Sequence, residues 1–537
     1  MSSTLQAIWP QGLGPIKPDA FSLIIVLVPS ALVSYVILRT IYLLWLHPLS
    51  KIPGPPLLAT TDIINQWRSN VKGTFSRETA QLHKQFGPLV RIGPNRISVD
   101  GSVGYPQVYG LKARGINGGY FDKVPGYLFP GDEHTLLGAP NELHRNLRRA
   151  LGHAFSEQAV REQEGVVLKQ MEILMDQLTL RAKSGEALDV VKWCVSTGPL
   201  LIMYILWMNF SFFDITGELT FAKSFASVET GIEHPFIKNF FESTLGSAYS
   251  RLLTKYPYLA IPFGMLLGRK QINTAIALEA ENRQMVAEMT ISRLELGEEP
   301  ASGQRDFTTY MLKKNREGEQ SMSNENILAN TGILIIAGSE TTSSAMSFFF
   351  YISSLNPDRK QILQDEICSS FSDESSMNFT SCSQLTYLQA CIEETLRMFP
   401  PASETPPRIS PGAEVGGTFI PQGTIIHVYP WATFRSPANF TDPDSFRPER
   451  WLPSTHPRYD KRYENDNLAC VKPFSYGPRD CIGKNLAYNE MRLLICKIMF
   501  RFDYDLLAGQ NTWHDSQYAL ILWIKTPLKL QFTLRKK

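Results

Sequence analysis

The sequence predicts a mainly α-helical body with small β-sheets, joined to one membrane-spanning helix near its N-terminus. Three observations point there. Residues 21–46 form a 26-residue apolar stretch with a single charge, Arg39. Helical patterning dominates from about Thr74 onward, and its longest run, residues 327–355, is apolar on all sides through 332–338. Strand patterning is confined to short islands. Composition agrees with a large folded body, since hydrophobic residues are 43% and charged residues 19% of 537. The 53 Lys+Arg against 51 Asp+Glu leave a net charge of +2, too little basic surplus for a nucleic-acid partner. Seven cysteines are too sparse for a disulfide-built scaffold.

In chain order, residues 1–20 read as a short lumenal tail and 21–46 as the membrane anchor. A helix of that length spans ~39 Å, more than the ~30 Å hydrocarbon core. Pro29 is tolerated within such a helix, and Tyr42 and Trp45 suit the interfacial belt. The run is too long for a signal peptide, and no small-residue cleavage pattern follows it. Only Lys17 is basic before the span, whereas Arg39, Lys51 and Arg68 lie at or after its end. This bias places the body in the cytosol. Residues 47–57 contain four prolines and read as a stiff, extended hinge. Residues 58–537 form the catalytic domain, with no repeat or low-complexity tract.

Residues 89–99 read as two short strands around Gly93-Pro94, residues 416–426 as a second island, and residues 518–524 with 528–534 as a C-terminal pair around Thr526-Pro527. Residues 200–213 are apolar but short and broken by Asn209, so they read as a core helix. The 327–355 helix has Ser323 as N-cap and stops at Asn356-Pro357. Its apolar middle is followed at once by Ser339-Glu340-Thr341-Thr342, which sets a carboxylate and hydroxyls in the core. A buried carboxylate is costly unless it is paired or used. The stretches 235–241 and 256–263 are aromatic and punctuated by Pro, a pattern that fits either a lip dipping into lipid or plain core.

Near the C-terminus stands Phe474-Ser475-Tyr476-Gly477-Pro478-Arg479-Asp480-Cys481-Ile482-Gly483, followed by Ala487 and Glu490. Spaced as F-x-x-G-x-R-x-C-x-G, it is too specific to be chance in a chain with so few cysteines. Here the sequence resembles the cytochrome P-450 superfamily of haem-thiolate monooxygenases, and in its Pro-rich hinge the fungal microsomal secondary-metabolism branch. The resemblance implies the P-450 fold and a cofactor, haem b (iron protoporphyrin IX), whose iron takes Cys481 as axial ligand. A thiolate ligand pushes electron density toward bound dioxygen and favours O–O cleavage. Gly477 and Gly483 permit close backbone approach around that sulfur. Phe474 would shield the ligand loop and Arg479 would reach a haem propionate.

The resemblance assigns further positions. Ala337-Gly338-Ser339-Glu340-Thr341 matches the oxygen-activation stretch, where Gly338 would leave room for dioxygen, and Glu340 and Thr341 would relay protons. Read without the resemblance, Thr341 back-bonds to its own turn and Glu340 makes an ion pair. Glu394-Thr395-Leu396-Arg397 and Arg450 match a structural Glu-Arg-Arg network that locks the ligand loop. His144 and Arg148 match a W-x-x-x-R propionate site, with His144 where Trp is commoner. Arg408, after Pro406-Pro407, matches another propionate contact. The six other cysteines read as structural thiols, and the sequons at Asn209, Asn378 and Asn439 as chance.

The implied activity is insertion of one oxygen atom from dioxygen into an apolar small molecule, such as a terpenoid, polyketide or alkaloid intermediate. Electrons would come from NADPH through a flavoprotein reductase, docked on Arg145, Arg149, Lys472 and Lys484. Membrane lipid is the other expected partner. A xenobiotic or fatty-acid hydroxylase is the nearer alternative. A reductase-independent haem-thiolate isomerase or dehydratase, and a non-catalytic haem carrier or gas sensor, are the rivals from other classes. An intact Glu340–Thr341 pair argues against both.

Overall fold

The computed structural model describes residues 18–127, 132–185, 187–191, 207–256, 258, 260–298, 303, 305–314, 318, 320–520 and 522–536. Helix α1 (Pro18–Ile41) runs into a π-helical turn, Tyr42–Leu46. Its Val26–Leu46 part has a mean hydropathy of 1.8 and exposes nearly every apolar side chain, as a candidate transmembrane span must. Of the expected tail, residues 1–17 lie outside the described residues, and helix begins at Pro18.

The Pro-rich hinge is not extended. His47 N–H donates to Tyr42 O, Ser50 N–H to His47 O and Ile52 N–H to Leu49 O, so the chain turns on itself. Leu49 and Ile52 are buried, and Arg91 Nη1 clamps Leu43 O at 2.7 Å. Prolines limited the conformations, but burial of these two apolar side chains chose a compact turn.

The body is helical: α2 (Asn141–Gly152), α3 (Trp207–Phe221), α4 (Pro235–Lys255), α5 (Asn324–Ser354), α6 (Thr386–Met398) and α7 (Lys484–Arg501) carry the residues that matter below. Ser323 caps α5 by accepting from Asn326 N–H, and Pro357 opens the next helix. Side chains along α3 are buried throughout, Asn209 included, which rules out a glycan there. Asn439 is likewise buried. In the 235–241 stretch, Phe236, Ile237 and Phe241 are core residues, with Phe236 edge-on to Phe213 at 6.3 Å. The lipid-lip alternative has no exposed apolar face there. Tyr258 is exposed, while Pro257, Leu259 and the side chains of 260–263 lie outside the described residues.

The small sheets staple distant segments. Strands β1 (Leu89–Gly93), β2 (Arg96–Val99), β3 (Asp122–Lys123), β4 (Leu188–Val191), β5 (Thr405–Ile409), β6 (Ala413–Val415), β7 (Thr418–Ile420), β8 (Ile425–Val428), β9 (Phe502–Leu506), β10 (Tyr518–Leu520), β11 (Leu522–Ile524) and β12 (Leu528–Leu534) form four sheets. The largest runs β1-β2-β8-β5-β3, with β2 and β8 parallel and the other neighbours antiparallel. Its register sets Lys123 beside Arg408. The C-terminal segments do not pair with each other, contrary to expectation. Residues 518–524 fold back as the β10–β11 hairpin, and β12 instead joins β4 and β9, where Leu528, Leu530 and Phe532 become fully buried.

Glu394, Arg397 and Arg450 meet at zero exposure. Arg397 donates twice to Glu394 at 2.8 Å, and Arg450 Nε and Trp451 Nε1 donate at 3.1 and 2.9 Å. Burial alone would raise the Glu394 pKa, but Arg397, Arg450 and Trp451 outweigh it and hold the carboxyl below its usual range. Arg397 also donates to Phe434 O and Pro443 O, and Arg450 to Asp466 and Thr441 O. Thus α6 is tied to the segment that leads into the Cys481 loop. Removing one partner strands buried charge, so Glu394→Ala is expected to cost about 3–5 kcal/mol, read as the shift in urea midpoint at unchanged slope.

Candidate active site

Cys481 lies just ahead of α7, on a loop bent by three backbone bonds: Cys481 N–H to Phe474 O (2.9 Å), Ser475 N–H to Lys472 O (2.9 Å) and Asp480 N–H to Gly477 O (3.1 Å). Gly477 is obligatory, because its φ is +79° and a Cβ would stand 2.0 Å from Tyr109 O. Phe474 stacks obliquely on Tyr488 at 5.0 Å. The thiol, solvent-exposed, opens into a partly open cavity floored by Phe474, Ile482, Gly483, Ala487 and Glu490 and roofed by α5. Burial raises the Cys481 pKa, while the Gly483 N–H, Arg148 and Lys484 pull it back. The start of α7 adds positive potential beside the sulfur.

Lys123, His144, Arg148 and Arg479 line the same cavity, and Arg408 lines an adjoining pocket with three of them. Arg148 (α2) donates to Asp480 O and Oδ1 at 2.5 and 2.6 Å. Arg479 reaches Ala139 O and Asn141 Oδ1. Arg408 (β5) lies over Tyr109 at 4.6 Å. His144 is buried on α2, and Lys123 (β3) donates to Leu137 O. These groups oppose one another. Burial, then Arg479, Lys123, Arg148 and Arg408, lowers the His144 pKa to about 3. Burial, then Arg408 and Arg479, lowers that of Lys123 well below the usual amine value. Burial and Arg408 lower that of Arg479 to about 10. Such a cluster asks for an anion with more than one carboxylate. Two propionates above a thiol-bearing floor meet that demand, so the residues present fit a haem.

Lys123 was not singled out from the sequence. No local motif marks it, and only the β3–β5 register brings it beside Arg408.

On the roof, Ile333, Ala337, Gly338, Thr341 and Thr342 face the cavity. The helix expected to be buried all round is therefore open along one face. An apolar pattern cannot distinguish core from the lining of an apolar cavity. A Cβ on Gly338 would meet Thr216 of α3 at 3.1 Å, so this cavity-lining glycine also admits close approach of a neighbouring helix. Thr341 lines the cavity, and its Oγ1 donates to Ala337 O at 2.6 Å.

Glu340, expected to share proton relay with Thr341, points elsewhere. Its carboxylate takes Lys525 and Ser344 on one oxygen and Asn209 Nδ2, at 3.1 Å, on the other. Lys525 also donates to Ser344 Oγ at 2.6 Å. Glu340 is not among the residues that line the cavity, whereas its neighbour Thr341 is. Lys525, unmarked in the sequence, is the cation that makes this buried carboxylate tolerable.

Of the other thiols, Cys382, Cys391, Cys470 and Cys496 are buried and Cys368 is half-buried, while Cys194 lies outside the described residues. Arg145, Arg149 and Lys484 are exposed and Lys472 is half-buried.

A family model described as cytochrome P450 matches residues 53–532. The chain belongs to the cytochrome P450 family. Among its relatives, cytochrome P450 monooxygenase astJ of Aspergillus oryzae is 34% identical over 92% of this chain and 93% of its own length. Cytochrome P450 monooxygenase tpeC of Talaromyces stipitatus is 32% identical over 94% of each chain. Trichothecene C-15 hydroxylase of Fusarium sporotrichioides is 31% identical over 93% of this chain and 95% of its own. As a P450, the chain is a haem-dependent monooxygenase that uses dioxygen and reductase-supplied electrons.

One group in the P450 cavity has no cation paired with it among the described residues. Burial raises the Glu490 carboxyl to about 8 from its usual 4.5. Folding then takes up a proton between those values, so stability falls as pH rises from about 4.5 to 8. Glu490→Gln is expected to flatten that fall in thermal melts at pH 5, 6.5 and 8, whereas an unchanged slope would show the carboxyl already ionised.

Proposed function

We propose that this P450 hydroxylates an apolar intermediate of fungal secondary metabolism, with haem b held by Cys481 and electrons delivered from NADPH by a membrane-bound flavoprotein reductase. The observation that carries the reading is one cavity with a thiol on its floor, bases at its rim and an apolar helix face above. The names of the relatives support the metabolic setting. The Val26–Leu46 helix supports an endoplasmic reticulum anchor with residues 58–537 in the cytosol. When bound, the haem supplies dioxygen binding and O–O cleavage.

The chain's own residues prepare that chemistry. Arg148, Arg408, Arg479, His144 and Lys123 fix the carboxylate edge, and Phe474 and Gly483 shape the sulfur's side. Thr341 presents a hydroxyl to the cavity that passes a proton once its bond to Ala337 O opens. Glu340, held by Lys525, fixes the rotation of α5 rather than carrying the proton. Thr341→Ala is expected to divert oxygen to peroxide, lowering product per NADPH severalfold, while Glu340→Gln leaves that ratio within twofold. The reverse pattern, read by peroxide and product assays, would return the relay to Glu340.

Exposed Arg145, Arg149 and Lys484, with Lys472, form the proposed reductase face. Steering by surface charge acts on encounter rate and is screened by salt. Arg145→Glu with Lys484→Glu is expected to slow reduction by the reductase about tenfold at low salt and to flatten its salt dependence in stopped-flow traces.

A further inference from the structure

A second cavity, of about 580 Å³, abuts the haem cavity across a wall made by β3, β5 and the turns beside them. Successive side chains of an extended chain point to opposite faces. Lys123, Ala402 and Pro406 accordingly line the haem cavity, while their neighbours Val124, Ser403 and Pro407 line the second one. At these positions the wall is one chain thick, and its backbone closes it. Glu404 differs, because its side chain lines both cavities. Only there does a passage between them need the movement of side chains alone.

The Glu404 carboxylate is held from two unequal sides. His427 Nδ1–H donates to one oxygen, Arg96 donates to His427 Nε2 at 3.0 Å, and Arg96 Nε donates to Asp62 at 3.2 Å. His427 stands on β8 and Arg96 on β2, so this chain of bonds fastens Glu404 to the largest sheet. Tyr127 OH donates to the other oxygen at 2.6 Å, the one hydrogen bond of that side chain among the described residues. The backbone beside it is fixed, since Gly126 N–H donates to Asp132 Oδ1 at 3.0 Å. What moves is therefore the tyrosine side chain, by rotation between its own rotamers. A hydroxyl donating to a carboxylate at this distance makes a strong bond, and the need to break it slows that rotation about tenfold.

We propose that the Tyr127–Glu404 bond is a gate between the second cavity and the haem cavity, and that it sets the size of molecule that passes quickly. The second cavity is then an antechamber, and Tyr127 and Glu404 are specificity-determining residues that act on entry rather than on the bound substrate. The proposal rests on a haem-loaded first cavity, and its test reads ligand entry independently of turnover.

The probes are imidazole and 4-phenylimidazole, which both ligate haem iron through nitrogen and differ by one phenyl ring. Each is mixed with the haem-loaded full chain in detergent, and the Soret shift is followed by stopped flow. Tyr127→Phe keeps the ring and loses the donor. It is expected to raise the association and dissociation rates of 4-phenylimidazole about tenfold, with Kd within twofold, and to change the imidazole rates less than twofold. Val124→Leu and Val124→Phe, which narrow the second cavity in two steps, are expected to slow 4-phenylimidazole progressively in the Tyr127→Phe background. Unchanged 4-phenylimidazole rates in Tyr127→Phe would overturn the gate. So would a change in one rate alone, which makes Tyr127 a contact of the bound ligand, or equal acceleration of both azoles, which marks a loosened fold. Val124 variants without effect would overturn the route through the second cavity. A wild-type Soret band in every variant shows that the haem site is intact, whereas a wild-type chain lacking that band would contradict the haem reading itself.

Discussion

Ionising the Cys481 sulfur within a largely apolar cavity is the constraint that the proposed haem ligation sets on the rest of this protein. Burial works against the Cys481 thiolate, as it does against any charge. What offsets it is local and backbone-built: the Gly483 N–H, the start of α7, and the positive charge of Arg148 and Lys484. Each depends on loop geometry to within fractions of an ångström. This is why Gly477 packs its Cα against Tyr109 O, and why the segment feeding the loop is riveted to α6 through Glu394.

The basic rim is the same constraint seen from the other edge. Buried bases that depress one another's pKa store unfavourable charge, which a dianionic cofactor relieves. Cofactor binding and folding are then linked, because a ligand that binds only the folded state stabilises it. The distal side obeys a related rule. Glu340 is affordable in the core because Lys525 comes to it from the C-terminal hairpin region, joining α5 to the last sheet.

Much of this was legible in the sequence where the chemistry is local. The Cys481 motif, the cap and stop of α5, the β1–β2 turn and the apolar anchor are each written within a few residues. So are the pairs within one helix, such as Glu394 with Arg397. What escaped was set by long-range pairing. Lys123 joins the rim only through a strand register with Arg408, and Lys525 meets Glu340 across 185 residues of chain. The hinge looked extended because proline content is local, whereas the burial of Leu49 and Ile52 that turns it is tertiary. The closeness of Thr216, on another helix, to Gly338 is tertiary in the same way.

Thiolate ligation by Cys481 is read out by the carbon monoxide spectrum of the reduced full-length protein. An intense Soret band is expected at the red-shifted position diagnostic of sulfur ligation, lost when Cys481 is replaced by Ala. A band at the position of nitrogen ligation in freshly prepared, undenatured protein, or a red-shifted band that survives Cys481→Ala, would contradict it.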